Sequence, residues 1–223
     1  MNNVVPRCFV GFRAFVRDNT EESYRQIFGE LFSALATAGR PVAIAVHNFN
    51  EDAEAVPWKE REETFFSRSG ALDAPSKHTV LRSIAVDFDF NQIKGLGRAL
   101  FDHIGDAVLK SPAEMVRHVV CGCEVHFARM MLPKFGNDHE DQLYRKLRKA
   151  RSLYEPNIEN RRAVEAVLGE LEAYKDIGSD GLKEWVKWFN YRSEYLLALC
   201  FPCFSTMTVG SRQIGRASCR ERV

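Results

Sequence analysis

Three groups of residues have types and spacings that could do chemistry. The first is Asp87, a carboxylate closing the short apolar run Ser83-Ile-Ala-Val-Asp87. Ile84 and Val86 alternate with a smaller residue, as in a buried strand. Ile93, Leu96, Leu100 and Phe101 then recur at the spacing of an amphipathic helix. An acid at the C-terminal end of a strand in an α/β unit stands where such folds place ligands and catalysis. The same place also suits a helix cap, for which Asp87 and Asn91 are the two candidates. The second group is Cys123-Glu-Val-His126, a C-x2-H spacing that one corner of a zinc site uses, thiolate and imidazole both suiting that metal. A full zinc site needs four ligands. Cys200 and Cys203 have ligand-like spacing but sit in an apolar run, so packing of Cys123 in a helix face carries more weight than zinc. The third group is the basic run Arg145-Lys-Leu-Arg-Lys-Ala-Arg151. On a helix, Arg145, Lys146, Arg148 and Lys149 form a cationic surface that could follow a phosphate backbone. Its competitor is a solvated face paired with Asp138, Glu140 and Asp141.

The elements that must position these residues can be read from periodicity. Arg7–Arg17 is rich in Phe and Val and reads as a strand. Asn19 with Glu22 resembles a capping box, followed by a helical stripe of Tyr24, Ile27, Phe28, Leu31, Phe32 and Leu35 that ends near Gly39. Val42–His47 is a short buried strand, which makes the order β-α-β and predicts a sheet covered by helices. Residues 48–78 are polar, charged and aperiodic and read as a long loop or insertion, with Trp58, Phe65 and Phe66 available to dock it. Gly95 and Gly97 fall inside the helix after Asp87, where they would let it approach the sheet closely. From Ser111, with proline at the first helical position, to about Phe189 the pattern is helical. Met115, Val119, Val120, Cys123 and Phe127 share one stripe, Leu143 and Leu147 a second. Asn157 caps a third helix, and Leu182, Trp185, Trp188 and Phe189 mark a fourth.

Composition narrows the class. With 31 Lys and Arg against 30 Asp and Glu, the net charge of +1 gives no global pull toward nucleic acid, so any such surface must be local. No apolar run reaches the roughly 18 residues of a spanning helix, so no membrane partner is expected. The N-terminal residues lack the apolar core of a signal peptide, and the six scattered cysteines read as reduced thiols of an intracellular protein. Phosphate-binding, nucleophile-elbow and zincin motifs do not occur. Ile214–Val223 matches no periodic pattern and looks like an in-frame translation of a sequencing-library adapter, so it is set aside, Cys219 with it.

The order of strand Arg7–Arg17, helix, strand Ala43–His47, strand ending in Asp87, Gly95-Leu-Gly97 and then Cys123-x2-His126-Phe127 resembles the central part of a Mutator-like transposase. The resemblance covers most of Arg7–Met207. It implies an α/β fold: a partial RNase H-like core over residues 1–108, with 48–78 as its insertion. An all-helical insertion over 109–191 and the start of a return to the core over 192–213 would follow. It implies the DDE chemistry of Mg²⁺-dependent DNA strand cleavage and transfer, with Asp87 as the second of three metal-binding carboxylates and Asp89 its less suitable substitute. It also implies DNA as partner, a nuclear location and room for a homo-oligomer. The first carboxylate belongs before Arg7, where residues 1–6 hold no acid, and the third after Met207. The 223 residues by themselves are therefore expected to be inactive. A non-enzymatic nucleic-acid- or protein-binding module descended from a transposase, and an unrelated hydrolase built around Asp87, are the competing readings.

Overall fold

The computed structural model describes residues 18–47, 63–68, 70–72, 77–81, 84–86, 88–105, 111–122, 124–131, 134–135, 138–153 and 157–204. Its architecture is mixed α and β and mostly helical. The expected strand Arg7–Arg17 and the tail Ile214–Val223 lie outside the described residues.

Helix α1 (Glu21–Thr37) starts at Thr20, whose hydroxyl oxygen accepts from the Ser23 amide; the cap is one residue later than Asn19. Asp18 accepts hydrogen bonds from both Thr20 and Ser23 hydroxyls, which binds the first turn together. Strand β1 (Val42–His47) falls where expected, with Val42, Ala43 and Ile44 buried.

The sequence between them and Asp87 is more ordered than its polarity suggests. Within the region expected as an insertion, β2 (Glu63–Ser67) and β3 (Gly70–Leu72) form a hairpin, and β4 (Thr79–Leu81) follows. The four strands make one sheet in the order β3-β2-β1-β4, antiparallel between the first three and parallel between β1 and β4. Phe66 packs against the core, and pairing along β1 holds the hairpin to the sheet. Strands this short carry too few alternations to stand out from a charged loop.

Strand β5 (Ile84–Val86) also falls where expected. Among the described residues β1 pairs with β2 and, in parallel, with β4, and β5, which begins three residues after β4, pairs in parallel with β6 (Val120–Gly122). β6 is itself a correction, because an all-helical run was expected across it. The stripe from Met115 to Phe127 breaks into α3 (Pro112–Val119), β6 and α4 (Glu124–Met131). Val119-Val120 is β-branched and fully buried, and the extended backbone gains a ladder with β5 that a helix would forgo. Helical spacing of a short apolar run is compatible with both states.

Helix α2 (Phe90–Ile104) carries the largest buried face of the chain's first half, with Ile93, Leu96, Leu100 and Ile104 almost fully enclosed. Its glycines serve helices, not the sheet. A side chain at Gly95 would meet the α1 backbone at Glu21 and Arg25, and one at Gly97 would meet Pro112 and Val116 of α3. Two glycines two residues apart thus open opposite sides of one helix to two close crossings.

The helical half comprises α5 (Asp138–Arg151), α6 (Ile158–Ile177), α7 (Asp180–Tyr191) and α8 (Ser193–Cys200). Ser111 and Asn157 cap their helices as the sequence predicts. α8 packs back on α3 and β6. A chain of aromatic contacts joins the halves: Phe88 to Phe127, Phe127 to Phe201, Phe201 to Phe189 and Phe189 to Trp185, with ring centres 5.2–6.5 Å apart. One continuous core therefore runs from the strand ends to α7.

Candidate functional site

The C-terminal ends of the parallel pair β5 and β6 form the best-built candidate. Register pairs Ile84 with Val120, Ala85 with Cys121 and Val86 with Gly122. Val86 and Gly122 are the residues that precede Asp87 and Cys123 in the sequence. Asp87 and Cys123 themselves lie outside the described residues. Crevices beyond the carboxyl ends of parallel strands are where open α/β sheets bind ligands.

The chain turns sharply at this edge. Phe88 has φ of +48°, a left-handed conformation that costs a bulky aromatic residue free energy and persists only where the surroundings impose it. Its ring is buried against Phe127. Asp89 follows and caps α2, its Oδ1 accepting from the amides of Asn91 at 3.0 Å and Gln92 at 3.2 Å. The cap is thus neither Asp87 nor Asn91, whose side chain instead donates to the Asn19 carbonyl. With one Asp89 oxygen committed to two amides and the other facing the Tyr24 hydroxyl at 3.5 Å, Asp89 is poorly placed to substitute as a metal ligand.

Arg151 closes the edge from the helical side. It is 7% exposed, and its Nη1 donates to the carbonyls of Leu199 and Cys200 while Nη2 donates to the carbonyl of Gly122. The guanidinium also lies over the Phe127 ring at 4.5 Å. The basic run Arg145–Arg151 reads as one surface in sequence, yet Arg151 is turned inward. The signal was present: Leu143, Leu147 and Arg151 recur every four residues, so the arginine falls on the buried stripe.

Cys123 lies outside the described residues, and the described thiols and imidazole around this edge stand apart from one another. His126 on α4 is half-buried, with Nδ1 shielded and lacking a hydrogen-bond partner among the described residues. Cys121 donates weakly to the Ile84 carbonyl at 3.7 Å, and burial raises its pKa. Cys200 and Cys203 are fully buried free thiols, and desolvation pushes Cys200 up to about 12. Among the described residues no three His, Cys, Asp or Glu side chains converge as a metal site would require.

The proposed phosphate-tracking face is exposed on α5, but half of it is paired. Arg145 meets Asp141 at 2.8 Å and Lys146 meets Glu170 of α6 at 2.7 Å, whereas Arg148 leans over Tyr144 and Lys149 is open to solvent. Such exposed pairs are worth at most about 1 kcal/mol and yield to salt or a competing phosphate. Among the described residues no helix is long and apolar enough to cross a membrane.

Compared with protein-family models, characterised proteins and solved structures, the chain gives no match.

Proposed function

We propose that this chain is part of a Mutator-like DNA transposase, taken from its RNase H-like catalytic region and the helical insertion that follows, and that Asp87 is one of three carboxylates for DDE-type cleavage and transfer. The observation that supports this reading is the register of β5 and β6. The residue before Asp87 pairs with the residue before Cys123, at the carboxyl edge of a parallel pair. Asp89 is engaged as a helix cap, so of the two acids the sequence offers for this role Asp89 is the less suited.

In that chemistry two Mg²⁺ ions activate water or a 3′-hydroxyl and stabilise the leaving oxygen. Mg²⁺ takes carboxylate and water oxygens, so thiols and imidazole do not suit it. Asp87 alone would hold the ion weakly, and the two other carboxylates belong before Arg7 and after Met207. On this reading the partner is DNA and the location nuclear.

The test is a supercoiled-plasmid nicking assay with Mg²⁺, on the protein translated from the source DNA with its reading frame extended in both directions. Nicking should vanish in Asp87→Asn and survive in Asp89→Asn, since asparagine caps a helix as well as aspartate. The 223 residues alone should not nick. Nicking that persists in Asp87→Asn would refute the assignment, as would an extended frame without an Asp-bearing strand upstream and a Glu-bearing helix downstream.

A further inference from the structure

We propose that Arg151 is a positioning residue for this strand-end site, through which the helical half holds Gly122 and Phe88, the residues next in sequence to Cys123 and Asp87. The inference rests on the reading of Asp87 given above. Arg151 is the last residue of α5, yet it donates to other elements: to the end of β6 at Gly122 and to the end of α8 at Leu199 and Cys200. Its planar fork joins the end of a strand to the end of a helix, which a point charge could not do as well. The carbonyl end of α8 also carries the negative pole of that helix, which favours a cation there.

The same guanidinium bears on the turn after β5. It stacks on Phe127 and lies 5.7 Å from the Phe88 ring. Phe88 is the left-handed residue, and Gly122 leaves just enough room for its ring. A conformation this unfavourable must be held by its neighbours. Phe127, Gly122 and Arg151 are among those neighbours, and Arg151 ties the other two together. Burying a cation carries a desolvation cost that an apolar residue filling the same space would not. The hydrogen bonds and ring contacts of Arg151 fix the geometry of both element ends. This arrangement makes α5 and α8 part of the site instead of a passive insertion.

Hydrogen exchange read by mass spectrometry tests this on the 223-residue chain, using Arg151→Lys and Arg151→Met beside Val164→Ala as a destabilised control on α6. Exchange over residues 84–92 and 120–122 should accelerate in both arginine variants, less in Lys than in Met, and stay at the parent rate in the control. Unchanged exchange there, or equal acceleration everywhere, would overturn the proposal. If Arg151→Met does not fold, Arg151→Lys decides. In the frame-extended protein Arg151→Lys should lower kcat for nicking by about 100-fold with the KM for DNA unchanged, the size of effect expected from a reacting group displaced by about 1 Å. A parental kcat would also overturn it. If nicking survives Asp87→Asn, the transposase reading falls while the exchange measurement still decides the role of Arg151.

Discussion

Gly122 and Phe88 meet where no side chain on residue 122 would fit: a Cβ there would stand 2.5 Å from Cζ of Phe88 and 2.8 Å from the carbonyl oxygen of Leu199. The ring could tilt away, but the carbonyl is backbone at the end of α8 and is held by Arg151. Gly122→Ala is therefore expected to destabilise the protein by about 1–3 kcal/mol, the range for overpacking. Urea denaturation would show a lower midpoint at an unchanged slope. A variant as stable as the parent would mean that α8 does not approach β6 this closely.

The helical glycines divide into two kinds with opposite expected outcomes. At Gly95 a Cβ would lie 2.6 Å from the Glu21 carbonyl oxygen, so Gly95→Ala should separate α1 from α2 and destabilise. At Gly169 on α6 nothing lies within 4 Å, so alanine there gains helix propensity at no steric cost, about 1 kcal/mol. Gly169→Ala should raise the melting temperature by about 2–4 °C for a chain of this size. The pair can be measured in one thermal scan. Destabilisation by both substitutions would contradict the open surroundings of Gly169.

These contrasts mark how far periodicity alone carries. The stripe of α2 and the caps at Ser111 and Asn157 were legible because each depends on local spacing or on a single side chain near its own amides. β6 was not, because helical spacing of a short apolar run fits both states, and the strand's partner is β5, more than thirty residues earlier. The hairpin at 63–72 was hidden for a related reason: its pairing partner, not its polarity, makes it ordered. In the candidate site, the strand before Asp87 was visible, whereas the cap fell on Asp89 and the buried cation on Arg151. Both are decided by which way the chain turns at Phe88, and no local pattern announces a left-handed phenylalanine.

Asp89 gives a direct test of that turn. Its carboxylate satisfies two amides that α2 would otherwise leave open. Asp89→Ala should cost about 1 kcal/mol, with faster amide exchange at Asn91 and Gln92, while Asp89→Asn should stay close to the parent. Equal losses in the two variants would show that charge, not capping, is what residue 89 contributes.

Cys200 links the core beside Arg151 to alkaline pH. The thiol is fully buried, and desolvation pushes it from 9.0 up to about 12, with the Arg151 charge opposing the shift. A folded pKa above the unfolded one means that the stability this thiol confers is complete below about pH 9. It is lost as pH climbs toward 12, because the unfolded chain releases the proton first. The parent should therefore lose stability between pH 9 and pH 11 more steeply than Cys200→Ala, whose own loss from the core is the same at every pH. Iodoacetamide at pH 8 supplies the second readout. Peptide mapping should find Cys200 unmodified in the native protein and alkylated in urea, since the thiolate is the nucleophile and the folded state supplies neither it nor access. Alkylation of native Cys200 at the unfolded rate would show that the contact between α8 and β6 opens readily, and that the strand-end site is not held shut by the core described above.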